Sequence, residues 1–265
     1  MRLSAHIGGL GVLGPGLANW PEAAAVLSGR QLYRSVPTVL PAPTILAAAE
    51  RRRVGRVVKL AMAIALEASA QAGENPAGLA SVFSSSGGDG HNCHELCRAL
   101  SLPGREVSPT RFANSVHNAA AGYWSIGTGA MAESNVLCAF DASFAAGFLE
   151  ALAQVAVDEV PVLLVAYDSE YPQPLHAKRP IPDVFGVAML LTPQRRTASV
   201  ARVDAALSGA DADRFSEPVL EELRCAFPAA RSLPMLRLLS TRTGGTAILD
   251  YLDVSRLEVG IEPCG

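Results

Sequence analysis

The sequence predicts an α/β protein in which helices are layered on a sheet. Short apolar runs alternate with longer helical segments along most of the 265 residues. The run at 160–166 is apolar at nearly every position, which is typical of a strand buried on both faces. Residues 47–71 carry apolar side chains at the 3.6-residue period of a helix. Because 49% of the residues are hydrophobic, the chain can bury a sizeable core.

Glycine and proline mark the boundaries of the elements. The turn Gly14-Pro15-Gly16 ends the first strand, Gly73 ends the long helix, and the Pro-rich stretch 35–48 forms a loop. The predicted strands are 3–13, 80–83, 134–137, 160–166, a pair formed by 185–191 and 198–203, and one or two more within 244–262. The predicted helices are 20–27, 47–71, 91–100, 114–128, 143–157 and a more charged helical region over 206–232.

The composition shifts after about residue 206. We therefore divide the chain into an N-terminal domain, residues 1–205, and a short C-terminal extension, residues 206–265. No internal repeat is visible.

The charge balance excludes a nucleic-acid-binding protein. Lys and Arg total 22 against 25 Asp and Glu, which gives a net charge of -3, whereas nucleic-acid binders usually carry a basic excess or stripe. The basic residues that do cluster are Arg51, Arg52 and Arg53, with Arg56 and Lys59 nearby. This cluster is suited to an acidic partner protein.

No membrane span is expected, because acidic residues interrupt the apolar stretches near 136–149 and 160–167. Both stretches fall short of the roughly 20 residues that a spanning helix needs. Five glycines by position 16 are also unlike the apolar helix of a secretion signal. We expect a cytoplasmic protein.

Two motifs partly resemble known binding motifs but lack the complete pattern. Cys93-His94-x-x-Cys97 has zinc-like spacing, but the second pair of ligands that zinc usually needs is missing. Residues 84–90 (SSSGGDG) lack the lysine and the spacing of a P-loop, and they are interpreted as a turn over a site or as a loop that shapes a partner contact. We expect no metal and no cofactor.

A hydrolase of the Ser-His-Asp type would need a G-x-S-x-G elbow, which the sequence does not contain. Asp141 and Ser143 do lie between a predicted strand and an Ala-rich helix, where α/β proteins display reactive groups. The alternative is that one of the two is the N-cap of that helix. Both interpretations stay open at this point.

The predicted helix 114–128 has small residues at 119–122, followed by Tyr123 and Trp124. Small residues let another backbone approach closely, and aromatic residues anchor interfaces. The segment is therefore either an interface helix or a plain buried helix.

Several of these pieces, in this order, resemble the N-terminal half of β-ketoacyl synthases, the thiolase-like condensing enzymes. The opening HIGGLGVLGPGLANWPEAAAVLSGR is similar to the first strand, turn and helix of that family. The next matches are ERRRVGRVVKLAMAIALEASAQAG, VFSSSGGDG and the interface segment NSVHNAAAGYWSI. The resemblance covers roughly residues 3–203. It implies a layered α-β-α half of the thiolase-like fold with a truncated C-terminal part. The second half would need about 150 residues, and the C-terminal extension 206–265 is much shorter.

The sequence departs from the active members of that family. Their nucleophilic Cys lies at the turn into the helix after the interface segment, and an ungapped alignment places Asp141 there. A shift of two would place Ala139 there, and Cys138 would need a three-residue gap. Active members also carry two His in the C-terminal half, and this sequence has no His after His176. The resemblance therefore implies no catalytic residues, with Asp141 at a degenerate nucleophile position.

The segments ERRR, SVHNAAAGYWSI and FDASFAAGFLEA resemble the chain-length-factor-like proteins of bacterial aryl polyene gene clusters. This implies a non-catalytic subunit that completes a heterodimer with a full-length ketosynthase, and it is the ketosynthase that extends acyl chains on an acyl carrier protein. The alternatives are a stand-alone acyltransferase or hydrolase that uses Ser143 or Cys138, and an acyl-binding scaffold. The residues implied at the interface are Asn114, His117, Asn118, Ala121, Gly122, Tyr123 and Trp124. The candidates for the wall of an acyl tunnel are Phe112, Tyr123 and Trp124.

Overall fold

The computed structural model describes residues 2–265, which form an α/β fold with one eight-stranded sheet. The strands are β1 (Leu3–Leu13), β2 (Ala80–Ser84), β3 (Ser134–Leu137), β4 (Val162–Asp168), β5 (Phe185–Thr192), β6 (Ala201–Ser208), β7 (Gly245–Leu252) and β8 (Ser255–Pro263). The helices are α1 (Trp20–Leu27), α2 (Ala48–Arg51), α3 (Arg56–Ala72), α4 (Gly90–Ser101), α5 (Pro109–Ser115), α6 (Ala119–Thr128), α7 (Ser143–Asp158), α8 (Pro218–Ala226) and α9 (Leu233–Thr241).

The strand order is β3-β2-β4-β5-β1-β6-β8-β7. β2 runs parallel to β3 and β4, and the other neighbours are antiparallel. The predicted pairing of 185–191 with 198–203 is wrong, because β1 lies between β5 and β6 and pairs with both. β1 pairs with β6 over residues 3–7 and with β5 over residues 6–13.

Helices cover both faces of the sheet on the β3-to-β1 side. Every residue of β4 is buried: Leu164 faces the layer that contains α7, and Leu163 and Val165 face the layer that contains α3 and α6. The strands β6, β8 and β7 bury alternate residues against one layer only. The predicted layered α/β class is confirmed.

Two glycines in the opening motif explain how tightly β1 packs on α3. A Cβ added at Gly9 would lie 2.1 Å from the Ala68 carbonyl oxygen, and one at Gly11 would lie 2.1 Å from that of Ile64. Only glycine allows the strand and the helix backbone to approach this closely.

Several boundaries differ from the sequence prediction. The helix expected over 47–71 is divided into α2 and α3, and the one expected over 114–128 into α5 and α6. The region 206–232 is less helical than expected, since β6 continues to Ser208 and α8 begins only at Pro218. The boundary placed between 205 and 206 falls within β6, and β7 and β8 complete the same sheet.

One helical stretch, Phe140–Asp158, is long and apolar enough to cross a membrane by length and composition alone. It includes α7, which packs across the sheet with Phe144, Phe148 and Leu152 in the hydrophobic core. This packing is that of a core helix.

Candidate functional site

The turn between β3 and α7 contains the predicted site residues Asp141 and Ser143. Residues Phe140–Ala142 form a single 3-10 turn, and Phe140 has a left-handed backbone with φ of 52°. The Ser143 hydroxyl donates to the Phe140 carbonyl oxygen (2.7 Å) and accepts from the Ala139 N–H (3.1 Å). These two bonds fix the turn in one conformation.

Asp141 forms ion pairs and does not cap α7. Its carboxylate accepts from Arg179 Nη2 at 2.6 Å and lies 3.3 Å from Arg231 Nη2. The capping alternative is wrong for Asp141, because the N-cap position of α7 is Ala142 and no side chain caps it. The half-buried carboxylate therefore lies between two guanidinium groups.

The ion pairs continue into the C-terminal part of the chain. Arg231 Nη1 lies 3.4 Å from Asp250 Oδ2 on β7, and Asp250 also pairs with Arg224 of α8. Arg224 is only 5% exposed and donates to Glu221 at 2.6 Å, so its buried charge has carboxylate partners. The network joins the turn before α7 to α8 and β7, and sequence reasoning missed it because the partners lie far apart in the chain.

Neither alternative nucleophile has a catalytic partner. Ser143 is buried, and its hydroxyl is occupied by the turn. The exposed Cys138 thiol donates to the Ser86 carbonyl oxygen at 3.2 Å. The His117 ring, with Nε2 3.1 Å from the Ser85 carbonyl oxygen, braces the loop that follows β2.

Asp168 braces the same loop from the end of β4. Its two carboxylate oxygens accept from the Ser86 N–H (3.0 Å) and the Ala229 N–H (2.7 Å). Desolvation by complete burial raises the pKa of Asp168 to about 6, although the two N–H donors favour the ionised form. Within residues 2–265, no three His, Cys, Asp or Glu side chains form a group suited to a metal ion.

The predicted interface residues are divided between two faces of α5 and α6. One set points into the core: Trp124 is 1% exposed in the layer with α3, and Ala121 is buried beside it. Asn114 is buried between the helices, where it donates to the Arg53 carbonyl oxygen (2.7 Å) and accepts from the Tyr123 hydroxyl (3.0 Å).

The other set remains at the surface: Asn118 and Gly122 are exposed, and His117 is half-buried. Nothing lies within 4 Å of a Cβ added at Gly122. A groove of about 490 Å³ runs along this face, lined by residues of α5 and α6 that include Gly122 and Ile126. Of the tunnel candidates, Phe112 is 63% exposed, Tyr123 is half-buried beside the groove and Trp124 is inside the core.

Large apolar side chains are exposed on both sides of β3. Ile126 and Met131 precede it, and Phe140 follows it. β3 pairs with β2 on one side only and is an edge strand. An open edge next to exposed apolar residues is a template for pairing with another chain.

A basic cleft of about 700 Å³ adjoins the groove of α5 and α6. Arg52, Arg53, Arg56 and Arg111 line it, together with Asp89 and Glu170. The Glu170 carboxylate is paired with Arg56 at 2.7 Å, and Asp89 caps α4 by accepting from the Asn92 N–H. Arg53 and Arg56 pair with carboxylates of the chain, whereas Arg52 has no ion-pair partner among the described residues.

The fold defines a thiolase-like protein of the ketosynthase class. Residues 24–240 match the model of the N-terminal domain of β-ketoacyl synthases, so the chain belongs to that family. The predicted family is confirmed. No curated protein matches the chain.

Solved structures of the same fold cover nearly the whole chain. A chain in the complex of the ketosynthase ApeO with its chain length factor ApeC from Xenorhabdus doucetiae is 24% identical, with a TM-score of 0.72 over 97% of this chain and 99% of that chain. A chain in the AntDE:AntF complex, a type II polyketide synthase acyl carrier protein with its ketosynthase, is 11% identical, with a TM-score of 0.73 over 100% of both chains. A chain of the ishigamide ketosynthase/chain length factor is 14% identical, with a TM-score of 0.70 over 99% of this chain and 100% of that chain.

Proposed function

We propose that this chain is the non-catalytic, chain-length-factor-like subunit of a cytoplasmic β-ketoacyl-ACP synthase heterodimer that extends polyene- or polyketide-type acyl chains. The observation that carries the proposal is the Asp141 carboxylate paired with two arginines at the turn into α7. Active family members are expected to carry a nucleophilic Cys at this turn. Condensation needs a thiolate that takes up the acyl group and donors that stabilise the enolate, and a paired carboxylate does neither.

The partner proposed for this chain is a full-length ketosynthase. We propose that it covers both the groove of α5 and α6 and the open edge of β3, which together we name the β3 face: Phe112, Val116, Gly122, Ile126, Met131 and Phe140 with β3. Stable obligate interfaces bury on the order of 2,000 Å² or more and are apolar, and the exposed apolar residues of the β3 face meet the second requirement. ApeO and ApeC provide an example of a ketosynthase with its chain length factor.

The second proposed partner is the acyl carrier protein. The basic cleft beside the β3 face contains the guanidinium group of Arg52, which has no ion-pair partner among the described residues and suits an acidic surface. We propose that the cleft contributes to docking of the carrier protein on the heterodimer. Charge reversal at Arg52 should then lower the rate of carrier-dependent extension, with a larger effect at low salt.

The stand-alone hydrolase alternative has less support. The Ser143 hydroxyl is occupied by the Phe140 carbonyl oxygen, and the Cys138 thiol donates to a backbone carbonyl oxygen. Neither makes a hydrogen bond to a histidine or a carboxylate that could act as a base.

Reconstitution tests the proposal. The chain and a full-length ketosynthase, taken from a neighbouring gene where one is present, are purified separately and together, and malonyl consumption is measured with the loaded carrier protein. We expect extension from the complex, none from this chain alone, and a heterodimer in gel filtration. Asp141→Cys should add no second active site, because the histidines that condensation requires are missing. Turnover by the isolated chain, or the absence of a complex, would contradict the proposal.

The products of that assay also test the role in chain length. Phe112→Ala and Tyr123→Ala shorten side chains beside the groove, so longer products at normal assembly are expected if the groove bounds the acyl tunnel. Unchanged product lengths with both variants would limit this subunit to a structural role.

A further inference from the structure

We infer that Phe140 is an anchor residue with which this chain holds the ketosynthase, an inference that rests on the proposed function. The side chain lies in the turn between β3 and α7 and is 62% exposed. It belongs to neither hydrophobic core cluster. The ring is therefore not part of the hydrophobic core of the chain.

The backbone of Phe140 is held in an unfavourable conformation. Its φ of 52° is left-handed, which a residue with a Cβ rarely adopts and which glycine adopts readily. Such strain is found where the surrounding structure enforces it, most often at functional sites. Here the enforcing contacts are the Ser143 hydroxyl on the Phe140 carbonyl oxygen and the Ala142 N–H on the Ala139 carbonyl oxygen (2.9 Å).

The ring is also supported from one side. The Arg179 guanidinium lies 3.9 Å from the ring centroid, and the same guanidinium is held by Asp141 at 2.6 Å. A cation–π contact to an arginine fixed by an ion pair restricts the ring while one face remains exposed. An aromatic side chain that is already ordered loses little entropy on binding, which is a property of interface anchors.

The position of the turn indicates what the ring contacts. Only Cys138 and Ala139 separate Phe140 from Leu137, the last residue of the open edge strand β3. A ketosynthase strand that pairs with β3 would bring its own chain past this turn. The ring then enters an apolar pocket of the ketosynthase at the end of the added strand, which continues the β3 face.

Phe140→Gly is the decisive variant, because it removes the ring and keeps the left-handed backbone without strain. Affinity for the purified ketosynthase is measured by calorimetry, and stability by thermal unfolding of the isolated chain. We expect binding to weaken by about 30-fold or more, as for an interface hot spot, while stability stays equal or rises. Phe140→Trp should retain most of the affinity. Leu252→Ala, which removes a half-exposed apolar side chain on β7, is the matched control and should bind like the unmodified chain.

The outcomes separate this inference from the proposed function. If the unmodified chain binds the ketosynthase and Phe140→Gly binds equally well, the anchor role is overturned and the subunit role stands. If the unmodified chain does not bind, the proposed function fails and the anchor role fails with it. Equal losses with Phe140→Gly and Leu252→Ala would also overturn the anchor role, because the effect would not be specific to the β3 side.

Discussion

The two edges of the sheet differ in how their backbone groups are satisfied. At β7 the segment that follows β6 folds back, so that the Asp213 N–H donates to the Ile248 carbonyl oxygen (2.8 Å) and the Asp213 carboxylate accepts from the Ile248 N–H (2.9 Å). At β3 the residues Ser134 and Asn135 are exposed, and the strand pairs with β2 alone. The β7 edge is thus covered at Ile248 by the chain itself, whereas no such bond covers β3 among the described residues.

Proteins usually protect sheet edges, because unpaired N–H and C=O groups invite pairing with other chains. An edge that remains open in one place and is covered in another therefore indicates where a partner binds. Exposed apolar side chains lie beside both edges, Ile126, Met131 and Phe140 at β3 and Leu252 and Val254 at β7, so the open backbone of β3 is what distinguishes the two. Substitutions at the two edges and in the core beside them should differ accordingly, from the largest expected effect to the smallest.

Trp124→Ala should destabilise the isolated chain by about 3–5 kcal/mol, the usual cost of removing a large buried aromatic. Trp124 is 1% exposed on the core side of α6, beneath the β3 side. Chemical denaturation measures the free energy of unfolding. A loss below 1 kcal/mol would mean that the Trp124 side of α6 is not part of the hydrophobic core. The assignment of a buried and an exposed face to α6 would then be wrong.

The stability of the chain should fall as pH rises through the titration of Asp168. Its pKa is raised to about 6 by burial, so its contribution is complete below the unfolded pKa near 4 and is lost once the pH exceeds about 6. The expected change is about 3 kcal/mol. Unfolding measured from pH 4 to pH 7 should show this slope in the wild type and not in Asp168→Asn. Identical slopes would rule out Asp168 as its source.

Val136→Pro should abolish pairing at the open edge and leave the fold intact. Glu133 and Leu137 direct their carbonyl oxygens to β2, so by alternation Val136 directs its N–H outward. Proline is tolerated at an edge whose N–H faces solvent. We expect ketosynthase binding to weaken by about 100-fold, or about 2.8 kcal/mol. Asn135→Pro is the control, because it removes a bond to β2 and should lower stability instead.

Asp213→Ala should expose the covered edge. Loss of the bond to the Ile248 N–H costs about 1–2 kcal/mol, and the uncovered β7 should promote self-association that light scattering detects. Binding of the ketosynthase should not change. A variant that remains monomeric at high concentration would mean that the remaining residues of the segment suffice to protect β7.

Gly122→Leu should slightly raise the stability of the isolated chain and weaken its assembly with the ketosynthase. The position is open, so leucine should raise the stability of the isolated chain by about 0.5–1 kcal/mol through helix propensity. The same side chain would hold the partner backbone away from α6. Unchanged co-purification with the ketosynthase would remove α6 from the β3 face.

The sequence predicted an element correctly where neighbouring residues alone set its ends. β1 and α1 begin and end as predicted, since a Gly-Pro-Gly turn ends the first and the Asn19 cap begins the second. The division of the 114–128 helix was missed because its cause is tertiary: Asn114 bonds the Arg53 carbonyl oxygen, and His117 lies against the Ser85 carbonyl oxygen.

The site was predicted less completely. Asp141 was identified, but its partners Arg179 and Arg231 lie 38 and 90 residues away and carry no local signal. That α6 has one buried and one exposed face could have been predicted from the sequence. The exposed residues Asn118, Gly122 and Ile126 repeat at the helical period. The exposed Phe140 gave no signal, since the left-handed backbone that presents it is set by the turn around it.

The single covered edge at β7 has a consequence for how many subunits can join. A chain with two open edges could add neighbours at both ends and grow into a filament, whereas one open edge is used up by the first partner. The assembly then closes at two chains. Any surplus of this subunit over its partner retains an unused apolar edge, so a cell that makes the two in equal numbers avoids the aggregates that an imbalance would produce.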